Sequence, residues 1–138
     1  MAIAEGIPAS HLKIRVALSR GRHTLVLTGE LDMASAPQLQ ALTMNICAAG
    51  ARELALDLTK LTFMDSTGLR AILGVQHVCR DYATDFMLTP PQRTVRRVFE
   101  LSGLLDVLPF RPAGPASAWG QTGPMSAAVI SRITAPAR

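Results

Sequence analysis

Four consecutive residues, Asp65, Ser66, Thr67 and Gly68, place one carboxylate, two hydroxyls and a glycine between two apolar runs. Side chains of Asp, Ser and Thr accept hydrogen bonds from the unpaired amides that begin a helix, and one such residue is enough to cap it. Here three residues that can cap stand in series, followed by Gly68, whose missing side chain leaves the first helical turn open to another molecule. The stretch therefore has two interpretations, as the cap of a buried helix and as a functional site at which one of the hydroxyls receives another group.

The other residue types that commonly do chemistry show no comparable arrangement. His11, His23 and His77 are the only histidines, and none stands near an obvious nucleophile. The sequence has no GxSxG, GxxxxGK[ST] or HExxH motif, and no spacing typical of metal ligands. Cys47 and Cys79 have neither CxxC spacing nor a basic, exposed-looking setting that would lower the pKa of a thiol, so both are interpreted as small buried hydrophobic residues. An enzyme, a metal site and a cofactor are therefore not expected.

The spacing of apolar side chains predicts the elements that position the 65–68 stretch. Residues 12–18 alternate between two faces and residues 23–28 are apolar and β-branched, which predicts a hairpin. Residues 53–58 and 86–88 predict two more strands, and residues 107–108 a short last strand. Helical spacing predicts a first helix between Asp32 and Gly50, a second over 66–82 and a third over 93–101. This order predicts an α/β layered domain with a mixed β-sheet of four to five strands, whose later strands are parallel.

Composition divides the chain into one domain, residues 11–110, and two flanking segments. A length of 138 residues fits a single domain, and 49% apolar with 4% aromatic residues predicts an aliphatic core. Residues 1–10 are expected to form a flexible N-terminus. Residues 111–138 are rich in Pro, Gly, Ala and Ser, and are expected to form a disordered tail in which residues 125–133 could form a short amphipathic helix.

The positive charge of the chain is concentrated outside the expected domain. The net charge is +4 and the pI about 9.8, values that prompt a search for a nucleic-acid surface. Residues 111–138 contain three arginines and no acid, so residues 1–110 carry 11 basic and 10 acidic residues. Arg93, Arg96 and Arg97 form the one local cluster, interpreted as the solvated face of a helix. No nucleic-acid or membrane partner is expected, and with no secretory leader the protein is expected to be cytoplasmic.

Three motifs resemble those of one protein family. Residues 63–69, F-M-D-S-T-G-L, resemble the signature of STAS domains, and among them that of bacterial anti-sigma factor antagonists. Gly29-Glu-Leu-Asp32 with Ser35-Ala-Pro37 is similar to the second family motif, at the start of the first helix. Residues 98–104, V-F-E-L-S-G-L, are similar to the third. The motifs follow the order and spacing of the family over about residues 11–110, so the resemblance implies a STAS-like fold.

The resemblance also implies a switch of partners controlled by phosphorylation. In such proteins the serine after the signature aspartate, here Ser66, is phosphorylated by an anti-sigma factor that is also an ATP-dependent serine/threonine kinase. The unmodified antagonist binds this kinase and makes it release its sigma factor, and a separate phosphatase resets the switch. The implied partner-binding residues of this chain are Asp32, Asp65, Ser66, Thr67, Gly68 and Arg70.

A second interpretation is a STAS subunit of a transporter or a signalling complex, which docks through the same face without being phosphorylated. Docking alone does not require an acceptor hydroxyl, so the presence of Asp65, Ser66 and Thr67 favours the antagonist. Arg70 departs from the family pattern, because many members have a small residue at this position. This long cation is expected to tune the choice of partner.

Overall fold

The computed structural model describes residues 11–111. The predictions made for residues 1–10 and for the tail beyond Arg111 therefore lie outside the described residues. The elements, in chain order, are β1 (Leu12–Ser19), β2 (Arg22–Leu31), α1 (Ala36–Ala48), β3 (Glu53–Met64), α2 (Ser66–Asp81), β4 (Asp85–Thr89) and α3 (Arg93–Leu101).

The four strands form one mixed sheet in the order β1-β2-β3-β4. β1 and β2 are antiparallel, while β2, β3 and β4 run parallel and are connected through α1 and α2, because parallel neighbours need a long crossover. This confirms the predicted α/β fold with its opening hairpin. The short strand predicted at residues 107–108 is wrong: Val107 is exposed, and the contact with the sheet is an isolated parallel bridge between Phe110 and Leu88.

β2 and β3 extend further than the pattern of apolar residues predicts. They end at Leu31 and Met64, whereas the alternation of apolar residues ends at Thr28 and Leu58. The pairing of β2 with β3 shifts register twice, between Val26 and Thr28 and between Gly29 and Glu30. A bulge adds an unpaired residue and breaks the two-residue period, so these extensions do not show the usual strand pattern.

The hydrophobic core lies between one face of the sheet and the three helices. Leu25, Leu56 and Leu88 are aligned across β2, β3 and β4, and all three are fully buried. Full burial of a leucine side chain contributes about 1.5 to 3 kcal/mol each. The helices contribute to the same cluster Leu39, Leu42, Ile46, Cys47, Leu69, Ile72, Val75, Cys79, Val95 and Phe99.

Cys47 and Cys79 lie in this core, as predicted, with their sulfur atoms 3.8 Å apart. Burial, together with the neighbouring Cys47, raises the pKa of the Cys79 thiol. His77 is exposed on α2, where its Nε2 lies 3.6 Å from Oδ2 of Asp81. Within residues 11–111, no helix is long and apolar enough to cross a membrane, and no three His, Cys, Asp or Glu side chains are grouped to hold a metal ion.

Candidate functional site

The candidate site forms where β2 and β3 end side by side. Leu31 and Met64, the last residues of these two strands, are directly paired. The residues that follow them, Asp32 and Asp65, therefore leave the sheet at the same edge. This is the carboxyl edge of the parallel strands, where binding sites of α/β folds commonly form. The structure thus brings the turn at Asp32 next to the start of α2.

Asp65 is the residue that caps α2. Its backbone is extended, with φ −112° and ψ −169°, and its Oδ1 accepts a hydrogen bond of 2.9 Å from the N–H of Gly68. Its carbonyl oxygen accepts from the N–H of Leu69 at 3.0 Å, which begins the helical hydrogen bonds. The cap interpretation is confirmed, and among the three candidate side chains it belongs to Asp65.

Ser66 is the first residue of α2 and is exposed. Among the described residues its hydroxyl has no hydrogen-bond partner, and neither has the hydroxyl of the half-buried Thr67. Because Asp65 already supplies the cap, neither hydroxyl is required to begin the helix. The Ser66 oxygen is therefore accessible to a second molecule without disturbing the helix.

Gly68 has a different role from the predicted one. It is buried, and a Cβ at this position would collide with the carbonyl oxygen of Leu31 and lie 2.7 Å from Cγ of Met64. The expectation that Gly68 opens the first turn to another molecule is therefore wrong, since the protein's own chain occupies that space. Glycine instead lets α2 pack directly on the end of β2, which sets the position of the neighbouring Ser66.

Asp32 organises the turn between β2 and α1. Its Oδ1 accepts hydrogen bonds from the N–H groups of Ala34 at 3.0 Å and Ser35 at 3.1 Å, and from the Ser35 hydroxyl at 3.2 Å. The buried Ser35 hydroxyl also donates to the carbonyl of Glu30 at 2.9 Å. The half-buried Asp32 carboxylate is thus engaged within its own turn, and its contact with a partner stays a prediction.

Two exposed apolar side chains near Ser66 were missed by the sequence analysis. Met33 in the turn before α1 is 75% exposed, and Phe63 near the end of β3 is 43% exposed. The sequence signal for both was a large apolar residue beside a polar turn, outside any periodic pattern. Arg70 is exposed on α2 four residues after Ser66, and therefore lies on the same side of the helix.

A shallow cavity connects the starts of the two helices. Its volume is about 260 Å³, and it lies between α1 and α2, where it reaches Thr67, the residue after Ser66. The residues that line it are Met33, Ala36, Pro37, Gln40, Thr67, Arg70 and Ala71. The site therefore combines an accessible hydroxyl, an apolar hollow and one cation at its rim, an arrangement suited to binding another protein.

Comparison with known proteins gives one consistent result. The STAS domain model matches residues 14–114. BtrV of Bordetella bronchiseptica, named as a candidate anti-sigma factor antagonist, is 35% identical over 92 residues, which cover 67% of this chain and 79% of that protein. The anti-sigma factor antagonist SpoIIAA in its unphosphorylated form matches with a TM-score of 0.65 and 26% identity, over 91% of this chain and 100% of that chain. The Bacillus cell fate determinant SpoIIAA in its phosphorylated form matches with a TM-score of 0.62 and 27% identity, over 79% of this chain and 98% of that chain. This chain therefore belongs to the STAS domain family, and within it resembles the anti-sigma factor antagonists.

Proposed function

We propose that this protein is an anti-sigma factor antagonist controlled by phosphorylation of Ser66. The unmodified protein binds an anti-sigma factor that is also a serine/threonine kinase, and this binding releases the sigma factor. The kinase transfers the γ-phosphoryl group of ATP to Ser66 Oγ, which ends the binding, and a phosphatase removes the group. The observation that carries the proposal is the Ser66 hydroxyl, exposed and without a partner in residues 11–111, beside a cap supplied by Asp65.

The surroundings of Ser66 support a protein partner. Met33 and Phe63 expose apolar surface near a hydroxyl, and the hollow between α1 and α2 is large enough to receive a side chain. Exposed apolar groups within a polar rim are typical of docking surfaces. Arg70 at the rim suits an acidic group of the partner, and its length gives it a wide reach. The solved structures of SpoIIAA in unphosphorylated and phosphorylated forms support a phosphorylation switch in a related protein.

A phosphate on Ser66 would weaken the binding of the partner more than it would disturb the fold. It adds roughly 1.5 to 2 negative charges beside the Asp65 carboxylate. At the start of α2 the helix dipole favours this charge by roughly 0.3 to 1 kcal/mol. Within a closed interface an uncompensated charge costs roughly 3 to 5 kcal/mol, which lowers affinity about a hundred-fold or more. The phosphorylated protein would therefore stay folded and dissociate from the kinase.

The test uses purified protein, ATP and an anti-sigma factor kinase from the same organism. We expect the intact mass to rise by one phosphate in the wild type and in Thr67→Ala, and to stay constant in Ser66→Ala. Titration of the kinase should show strong binding of unmodified protein and at least a hundred-fold weaker binding of the phosphorylated form. Phosphate on Thr67 alone would refute the assignment of Ser66, and stable kinase binding without any phosphorylation would favour the docking subunit instead.

A further inference from the structure

Two rows of residues with the same spacing form the walls of the hollow between α1 and α2. The row on the side of α1 consists of Met33, Ala36, Pro37 and Gln40. The row on the side of α2 consists of Thr67, Arg70 and Ala71, and Gly74 continues it along the helix. Helix positions that are three, four and seven residues apart share one side, so each row faces the gap between the two helices.

Small residues leave the space that the hollow occupies. Ala36 and Ala71 are buried, with exposed fractions of 6% and 2%. A Cβ at Gly74 would lie 2.9 Å from Nε2 of Gln40, so the Gln40 side chain reaches across to α2. The floor of the hollow is therefore apolar, and the amide of Gln40 lies at its rim beside α2.

The three polar side chains that line the hollow can all donate hydrogen bonds. The guanidinium of Arg70 only donates, while the amide of Gln40 and the hydroxyl of Thr67 can donate as well as accept. Within residues 11–111 none of these side chains has a hydrogen-bond or ion-pair partner. None of the described residues that line the hollow is acidic. The group that complements this lining is a negatively charged acceptor of hydrogen bonds.

The aspartates at the edge of the sheet leave Arg70 available for such a group. Oδ1 of Asp32 accepts from backbone N–H groups of its own turn, and Oδ1 of Asp65 accepts from the N–H of Gly68. Neither aspartate lines the hollow. Arg70 follows Asp65 by five residues, about 7.5 Å along the axis of α2. An acid held at Arg70 is thus separated from the aspartate that would repel it.

We propose that the hollow receives an acidic side chain of the anti-sigma factor kinase. This inference rests on the proposed function, and it makes Arg70, Gln40 and Thr67 residues that determine the choice of partner. The methylene groups of the incoming side chain would contact Ala36 and Ala71. Its carboxylate would accept two hydrogen bonds from the planar guanidinium of Arg70 and a further one from Gln40 or Thr67. A partner with a lysine or arginine at this place would be rejected, because two cations would then face each other.

Binding of the kinase from the same organism to matched variants tests the proposal. Arg70→Met removes the charge and keeps most of the length of the side chain. Arg80→Met removes the same charge from the last turn of the same helix, outside the hollow, and is the control. We expect Arg70→Met to weaken binding at least about ten-fold, and Arg80→Met less than about two-fold. Equal losses in the two variants would overturn the proposal, since they would indicate general attraction between charged surfaces.

A double-mutant cycle identifies the group that enters the hollow. Each exposed acidic residue of the kinase is replaced in turn by its amide. We expect one replacement to weaken binding of the wild type at least about ten-fold and binding of Arg70→Met less than about two-fold, because the carboxylate and the guanidinium form one interaction. The same replacement should have a smaller effect on Gln40→Leu than on the wild type.

The wild type separates failure of this inference from failure of the proposed function. If the wild type binds the kinase and no acidic residue of the kinase is coupled to Arg70, the inference alone is wrong. If the wild type neither binds the kinase nor accepts phosphate, the proposed function is refuted and the inference with it.

Discussion

Replacing Gly68 with alanine tests how closely α2 is packed on the end of β2. The added Cβ would collide with the carbonyl oxygen of Leu31, and it would lie 2.7 Å from Cγ of Met64. The Leu31 carbonyl is backbone at the end of a strand, so it can yield only if the strand or the helix shifts. Such overpacking costs about 1 to 3 kcal/mol, and the better helix propensity of alanine returns less than about 1 kcal/mol in the first turn. We expect Gly68→Ala to lower the free energy of unfolding by about 2 kcal/mol.

Gly74 provides a matched control in the same helix. A Cβ there would lie 2.9 Å from Nε2 of Gln40, the far end of a flexible side chain that can move aside. Gly74→Ala should therefore gain helix propensity without a fixed collision, and be between neutral and about 1 kcal/mol more stable than the wild type. Urea denaturation followed by far-ultraviolet circular dichroism measures both variants. If Gly68→Ala is as stable as Gly74→Ala, the inference that α2 packs closely on the end of β2 at Gly68 is wrong.

Four further predictions concern the site and the fold. Asp65→Ala should lower the free energy of unfolding by about 1 kcal/mol through loss of the cap, whereas Ser66→Ala should change it by less than about 0.5 kcal/mol, as thermal denaturation would show. Asp32→Ala should lower the free energy of unfolding by about 1 to 2 kcal/mol, because the N–H groups of Ala34 and Ser35 lose their acceptor. Unchanged stability would mean that Asp32 does not hold its turn, which would leave docking of the partner as its only predicted role. Burial lowers the pKa of His23 below 6.5, so the neutral form is favoured in the folded state, and the free energy of unfolding should fall as the pH decreases below 6.5. Urea denaturation at several pH values measures this dependence, and His23→Gln should remove the part of it that comes from His23. Ser66→Glu should melt within a few degrees of the wild type and bind the kinase poorly; a large drop in melting temperature would mean that the switch acts through the fold.

Much of the fold could be predicted because its patterns are local. Alternation in residues 12–18 and helical spacing in residues 66–82 and 93–101 reflect which side of each element is buried. The stretch Asp65-Ser66-Thr67 likewise predicts a helix start, since capping involves amides only two or three residues away. These features depend on neighbours within one or two turns, and short segments of sequence contain that information.

The order of strands and helices and the place of the candidate phosphate acceptor were thus determined by the sequence itself. The tertiary structure decided which side chain caps α2, why residue 68 is glycine, and that Met33 and Phe63 are exposed near Ser66. It also decided that β2 and β3 run past two register shifts to a common edge. The physical reason is distance along the chain. Leu31 packs against Gly68 and is paired with Met64, and both of these residues are more than thirty positions away from it in sequence. Contacts of that kind depend on how whole elements dock, and no local period of apolar residues records them.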